Sequence, residues 1–446
     1  MENKEQWSSR IGFILSSAGA AIGLGAIWKF PYVTGQSGGG AFLLLFILFT
    51  ILIGLPLLIS EFIIGRGSGK EAVSAYKKLA PNSFWTLTGK LGVIGCFLLL
   101  SFYSVVGGWV LTYTVMSLGG KVIESGADYG ALFGQVTSSP LMTIGGLAAF
   151  LLMNIVVIAA GVQNGIEKAS KYMMPLLFIF FIVLVIRALT LDGAMEGVRF
   201  FLQPDFSKIT GEAVLYALGQ SFFSLAVGFS CMVTYSSYLN KNVSIPVSAG
   251  SVALMNIFVS VLAGLAIFPV VFSFGFEPTE GPGLLFIVLP AAFSQMPLGE
   301  LFLFMFLLLF LFATLTSSFS LLEIIVAAFL KTGASRKMIT WIAGVTVFIA
   351  GIPAALSSSL LADVKIFNKT VFDATDFLVS NIMLPLGNLL IALFIAWKIN
   401  QQLVKQEFML GHSLAPSTYT TWHLLMKWIV PLTIVVVFLN SLGLFN

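Results

Sequence analysis

Long apolar runs separated by short polar stretches dominate this 446-residue chain. A hydrocarbon core about 30 Å thick is crossed by a helix of about 20 apolar residues. Runs of that length fall at approximately 11–34, 41–64, 86–118, 141–160, 170–190, 211–238, 248–274, 298–330, 338–356, 374–398 and 424–443. The pattern predicts an all-α integral membrane protein with eleven transmembrane helices. Between the seventh and eighth runs, 281–299 is apolar but cut by Pro282, Pro290 and Pro297. It is too short and too broken to cross, and is expected as an extracellular re-entrant or surface helical hairpin.

Two runs carry helix-breaking sequence at membrane depth: Gly23-Leu24-Gly25 in the first and Gly228-Phe229-Ser230 in the sixth. Lipid supplies no hydrogen bonds, so broken backbone survives there only where it lines a protein cavity. A binding site near the midplane follows. The second break opens a second block of five runs, and an odd number of spans per block makes the two blocks inverted, as in many secondary transporters. The expected organisation is a transporter core over 1–400, with repeats 11–190 and 211–400. A polar linker and the eleventh helix occupy 401–446.

Composition narrows the class: hydrophobic residues are 58% and charged residues 9%. Met1 to Ser9 is polar and precedes a run too long for a signal-peptide core, with no small-residue cleavage site after it, so the first helix is expected to be retained. With the N-terminus inside, one side collects Lys4, Arg10, Arg66, Lys70, Lys77, Lys78, Lys90, Lys168, Lys171, Lys241, Lys331, Arg336, Lys337, Lys398, Lys405 and Lys427. The other keeps Lys29, Lys121, Arg187, Arg199, Lys208, Lys365 and Lys369. Because Lys and Arg resist translocation, this asymmetry predicts a cell-membrane protein with a cytoplasmic N-terminus and an extracellular C-terminus. The net charge of +4 is thus a topology signal, and no nucleic-acid partner is implied. The expected surroundings are the lipid bilayer and a small-molecule substrate, with no obligatory protein partner. Cys96 and Cys231 lie far apart in apolar runs and read as separate buried thiols.

The polar residues inside the runs carry the chemistry. Thr314, Thr316, Ser317, Ser318 and Ser320 crowd one stretch of the Phe- and Leu-rich eighth run. A lone Ser or Thr there bonds back to its own helix, but a cluster offers hard oxygen donors of the kind an alkali cation takes in place of water. Carbonyls freed near Gly19 and Ile22, together with the Thr316 and Ser317 hydroxyls, would form a Na⁺ site. Glu61 and Glu323 are intramembrane acids, expected to pin broken helices by accepting loose amide protons. Gln220, Ser224 and Asn256 add further polar groups. Amide protons at the break attract a carboxylate, Tyr103 can donate to it, and Phe223, Phe229, Ala226 and Leu321 can line an apolar side-chain pocket.

These residues resemble the neurotransmitter:sodium symporter family, closest to its bacterial amino-acid transporters. The resemblance runs over nearly the whole chain, through Trp7 with Arg10, Ala21-Ile22-Gly23-Leu24-Gly25, Phe30-Pro31, Gly38-Gly39-Gly40-Ala41-Phe42 and Gly54-Leu55-Pro56 with Glu61. It continues through Gly219-Gln220-Ser221-Phe222-Phe223-Ser224, Thr234-Tyr235-Ser236-Ser237-Tyr238, Leu315-Thr316-Ser317-Ser318 with Glu323, and Asp373 with Asp376. It implies the five-plus-five inverted fold and Na⁺-driven alternating access. It also implies a substrate site of Ala21, Leu24, Gly25, Tyr103, Phe223, Ala226, Phe229, Ser317 and Leu321. A second sodium site would take carbonyls of Gly19, Ile22 and Ala313 with the hydroxyls of Thr316 and Ser317. The first would take Ala21, Ser224, Asn256 and the substrate carboxylate, but Ala26 stands where the family usually has Asn and brings no side-chain oxygen. One or two Na⁺ ions are therefore implied.

The same resemblance implies an outer gate of Lys29 and Asp376 with the Tyr103 and Phe223 lid, Lys29 replacing the usual Arg. An inner gate of Trp7, Ser237 and Tyr238 is implied, its acidic partner left open because Leu330-Lys331-Thr332-Gly333 occupies the usual stretch. Ser260 with Gln220, Ser224 and Asn256 matches the chloride-dependent relatives, while Phe46 replaces their Tyr, so chloride stays open. The function implied is import of a neutral, rather hydrophobic L-amino acid. An intramembrane enzyme is the rival from another class, although His412 and His423 sit in or beside the polar stretch before the last run; a passive channel is the other.

Overall fold

A computed structural model describes residues 5–123, 128–277, 283–411 and 414–441. Pro282 and His412 lie outside these. Among the described residues the regular structure is helical, with isolated bridges and no strand. The elements of the membrane region are α1 (Arg10–Ala21), α2 (Gly25–Gln36), α3 (Gly40–Ser68), α4 (Thr86–Leu118), α5 (Pro140–Ala159) and α6 (Val162–Leu189). They continue as α7 (Gly211–Phe223) and α8 (Cys231–Ser237), then α9 (Ile245–Ser273), α10 (Gly299–Leu330), α11 (Arg336–Ala355), α12 (Val371–Lys398) and α13 (Pro416–Ser441).

Local chemistry explains where these helices start. Ser9, Ser139, Thr210, Ser244, Ser335 and Thr370 each accept a hydrogen bond from a backbone N–H of the first turn, which satisfies a donor that a helix N-terminus leaves orphaned. Among the described residues nine helices are long and apolar enough to cross a membrane, and α1 with α2, bent by 53°, makes a tenth span. The expected run 211–238 is split into α7 and α8, both short, by residues 224–230. In 283–299 the expected hairpin is represented by one short helix, Leu284–Ser294, whose Phe286 stacks on Phe133.

The α4 helix runs through the middle, against α5, α10 and α11. Gly108 and Gly146 let α4 and α5 approach so closely that a Cβ on Gly108 would stand 2.6 Å from the Gly146 carbonyl carbon, the small-residue contact that membrane helices use in place of hydrophobic driving force. Leu141, Val156, Ile179 and Ile186 point outward, exposed. An apolar exterior around a core holding Glu61, Asn154, Asn256 and Glu323 fully buried inverts the pattern of a water-soluble protein. The two broken elements, α1/α2 and α7/α8, lie inside this shell.

Candidate substrate and ion site

Ile22 leaves helical geometry at φ −84°, ψ 90°. Gly23 and Gly25 permit close approach at this break: a Cβ on Gly23 would stand 2.6 Å from Ser317 Oγ and 2.8 Å from the Tyr103 hydroxyl, and one on Gly25 would stand 2.9 Å from the Phe223 ring. The Leu24 N–H, freed from the helix, donates to the Tyr103 hydroxyl at 3.4 Å. At the second break Ala226, Gly228 and Ser230 take left-handed φ values of 53°, 108° and 59°. The amides loosened there are collected by one carboxylate, since Gly228, Met232 and Val233 N–H donate to Glu61 at 2.7, 3.1 and 3.3 Å. Asn388 on α12 supports the same segment, donating to the Val227 carbonyl at 3.4 Å.

Glu323 differs from the expectation. It accepts the Tyr238 hydroxyl at 2.8 Å and pairs with Arg336. The cause is its position beside the start of α11, where a guanidinium satisfies a buried carboxylate more fully than loose amides do.

Between the two breaks lies a cavity of about 40 Å³. Ala21, Leu24, Gly25, Tyr103, Phe223, Ala226, Phe229, Ser317 and Leu321 all line it, so the structure brings together every substrate residue expected from the sequence. Ala20, Gly23, Leu99, Cys231 and Leu384 line it too. No periodicity singles these out, because helices apolar all round do not show which face looks inward. A wider vestibule of about 460 Å³, lined by Lys29, Tyr32, Gln36, Glu212 and Asn381, lies on the other side of Phe223.

The hydroxyl cluster separates into two behaviours. Thr314, Thr316 and Ser320 donate to carbonyls of their own helix, as isolated membrane hydroxyls do, while Ser318 divides its hydroxyl between the Leu315 carbonyl and Asn154 Oδ1 on α5, the latter at 2.6 Å. Ser317 reaches across to the Ala20 carbonyl at 3.0 Å. Thr316 faces α1 as well, since a Cβ on Gly19 would stand 2.9 Å from its Cβ and 3.2 Å from its Oγ1. Thr316 and Ser317, two of the donors expected for a second sodium site, thus both face α1 across the α1–α10 seam. At the expected first site, Asn256 Nδ2 donates to Ser224 Oγ at 3.0 Å, which leaves Asn256 Oδ1 buried without a partner. An orphaned amide oxygen fits a cation, whereas the fully buried Ala26 offers only a methyl group. Of the donors expected to face an anion, Gln220 Nε2 donates one N–H to the Gly25 carbonyl at 2.6 Å, and Ser260 Oγ donates to the Asn256 carbonyl at 3.0 Å. Phe46 packs on Phe30 at 4.8 Å between ring centroids.

The expected gates are placed unequally. Lys29 Nζ lies 5.0 Å from the Phe223 ring centroid, a cation–π contact, while Asp376 accepts the Ser380 hydroxyl at 2.7 Å. Lys29 and Asp376 are not within ion-pair distance in this structure. Trp7 is buried, donating from Nε1 to the Tyr235 carbonyl at 2.8 Å and from its backbone N–H to the Tyr238 carbonyl at 3.3 Å. Ser237 does not join this layer through its hydroxyl, which donates to Thr234 of its own helix. Tyr235, which the sequence reading did not assign to the gate, stands at 5.3 Å from the Trp7 ring instead. Arg336 closes the layer, pairing with Glu323 and with Glu5 at 3.6 Å. This layer therefore carries two acids, Glu5 and Glu323, bridged by a cation at the start of α11.

Two interrupted helices around a buried cavity, with hydroxyl and carbonyl donors beside it, define a secondary transporter of the broken-helix class. The chain matches the Sodium:neurotransmitter symporter family over residues 4–124 and 138–446, and belongs to that family. It is a sodium-coupled transporter and not an enzyme. It is 55% identical over 443 residues to an uncharacterised sodium-dependent transporter, YhdH, of Bacillus subtilis, covering 99% of this chain and 98% of that one. It is 37% identical to an uncharacterised sodium-dependent transporter of Haemophilus influenzae, covering 99% of each. The crystal structure of MhsT in complex with L-phenylalanine superimposes with a TM-score of 0.91 at 40% identity, over 98% of this chain and 100% of that one.

Proposed function

We propose that this transporter imports a neutral, apolar L-amino acid across the cell membrane together with Na⁺, by alternating access. The observation that carries the reading is the cavity itself, lined by freed backbone and Tyr103 together with the apolar side chains of Phe223, Phe229 and Leu321. The substrate carboxylate sits toward the Leu24 and Gly25 amides and Tyr103, and its ammonium sits toward the carbonyl ends of α1 and α7. MhsT, solved with L-phenylalanine, supports a guest of this class.

Sodium occupies the second site, on the carbonyls of Gly19, Ile22 and Ala313 and the hydroxyls of Thr316 and Ser317. The first site, with Ala21, Ser224, Asn256 and the substrate carboxylate, is weakened by Ala26, so one Na⁺ is held tightly. Chloride is not required, because the Ser260 hydroxyl is engaged by the Asn256 carbonyl and Phe46 offers no donor. The vestibule beyond Phe223 faces outward, with Lys29, Asp376, Phe223 and Tyr103 as the outer gate. The Trp7, Tyr235 and Tyr238 layer, with Glu5, Glu323 and Arg336, closes the cytoplasmic side, and the C-terminus is extracellular.

Uptake of radiolabelled amino acids into proteoliposomes tests this. Accumulation above the external concentration, driven by an inward Na⁺ gradient and abolished when Na⁺ is replaced by K⁺, is the expected result. Flux without saturation or uphill accumulation would identify a passive pore instead. No movement of any zwitterion would remove the substrate class.

A further inference from the structure

The two cysteines of this chain meet in space: Cys96 Sγ and Cys231 Sγ are 3.2 Å apart, although 135 residues separate them in sequence. Cys96 belongs to α4. Cys231 is the first residue of α8, directly after the second break, and it lines the cavity. Both are buried and neither is in a disulfide.

We propose that this pair is a redox-active dithiol in the cavity wall, converted by a small peroxide into a disulfide that ties α4 to α8. The peroxide oxygen takes two electrons from the Cys231 sulfur, giving a sulfenic acid and releasing water or an alcohol as the O–O bond breaks. The Cys96 sulfur then attacks the sulfenic sulfur; an S–S bond forms, an S–O bond breaks, and the Cys96 proton leaves with the hydroxyl as a second water. Two thiols and one hydrogen peroxide thus yield one disulfide and two waters. The sulfurs need to close from 3.2 Å to about 2.05 Å, within reach of small side-chain rotations. Binding of a two-coordinate thiophilic ion fits less well, since two metal–sulfur bonds of about 2.3 Å would hold the sulfurs about 4.6 Å apart.

The position gives the bond a consequence, which rests on the transport reading above. The second break is pressed tightly on α4: a Cβ on Gly95 would stand 2.5 Å from the Phe229 ring, and one on Gly92 would stand 2.2 Å from the Phe229 carbonyl oxygen. These contacts are non-covalent and can part or slide when the cavity opens. A disulfide at the same level cannot, so the oxidised protein is arrested.

The test uses the full chain in proteoliposomes treated with hydrogen peroxide. Intact mass and maleimide labelling after denaturation count thiols, and Na⁺-driven uptake is measured on the same sample. The expected result is loss of two hydrogens and both reactive thiols. Uptake falls in proportion to the oxidised fraction and returns with dithiothreitol. Cys96→Ser and, separately, Cys96→Ala protein, each compared with its own untreated sample, gain no intramolecular disulfide and escape the reversible arrest. Two thiols still counted after peroxide, or a disulfide formed with uptake unchanged, would overturn the proposal. If reduced, untreated protein moves no zwitterion, the functional reading fails, and the dithiol stands or falls on the mass and thiol count alone.

Discussion

Glu61 holds the second break together, so its replacement has a magnitude that the structure sets. Its carboxylate receives three backbone N–H donors, at 2.7, 3.1 and 3.3 Å, and is fully buried. In Glu61→Leu these donors lose their acceptor where no water replaces it. Each stranded buried N–H costs about 1–3 kcal/mol, so the loss is about 3–9 kcal/mol before relaxation. An unfolding entropy of about 2 cal/mol/K per residue over 446 residues makes each kcal/mol worth roughly 1 °C. Glu61→Leu should therefore melt about 3–9 °C below the parent, by that same conversion. Glu61→Gln keeps one carbonyl oxygen but turns an NH₂ toward the remaining amides, and should fall between the two. The assay is thermal unfolding in detergent, with uptake measured well below the transition. Because the break also shapes the cavity, both variants should lose uptake even where folded. A Leu variant melting with the parent and transporting normally would refute the assignment of Glu61 as the clamp.

Four further outcomes follow from the site. Ser317→Ala removes the hydroxyl that crosses to Ala20 and should raise the Na⁺ concentration for half-maximal uptake about tenfold, whereas Ser320→Ala, whose hydroxyl bonds its own helix, should leave it unchanged; equal effects would remove Ser317 from the ion site. Ala26→Asn adds a side-chain oxygen at the proposed first ion site, where Asn256 Oδ1 is unpartnered, and should steepen the Na⁺ dependence of uptake, an expectation ended by an unchanged Hill slope. Arg336→Ala leaves Glu323 buried without its cation, a change costing about 3–5 kcal/mol, and should expose Trp7 to aqueous fluorescence quenchers; Trp7 as shielded as in the parent would contradict the closure. Replacement of chloride by gluconate should leave uptake unaltered, and a dependence abolished by Ser260→Glu would reverse that reading.

Much of the fold was legible because membrane spans announce themselves by length: the run expected at 86–118 is Thr86–Leu118 in the structure. The breaks were legible because Gly23, Gly25 and Gly228 sit where lipid forbids irregular backbone. What lay hidden was mostly a matter of rotation about helix axes. Leu99 and Leu384 look like every other leucine in an apolar helix, and only packing shows that they face the cavity. Long-range partners were hidden for the same reason: Cys96 and Cys231 read as unrelated thiols, and Arg336 read as a topology charge until it was found between Glu5 and Glu323. Glu61 and Glu323 carry the same side chain at similar depth, yet one meets loose amides and the other a guanidinium.

Gly23 presses at once on Ser317, a proposed ion donor, and on Tyr103, a proposed carboxylate donor. Ion and substrate therefore share a wall one residue thick. Whatever movement of Ser317 accompanies sodium binding is felt at Tyr103 through contact, without a relay across the protein. Coupling through such a wall is reciprocal by linkage, so substrate should tighten sodium by the same factor that sodium tightens substrate. A side chain at residue 23 would therefore intrude on both proposed sites at once.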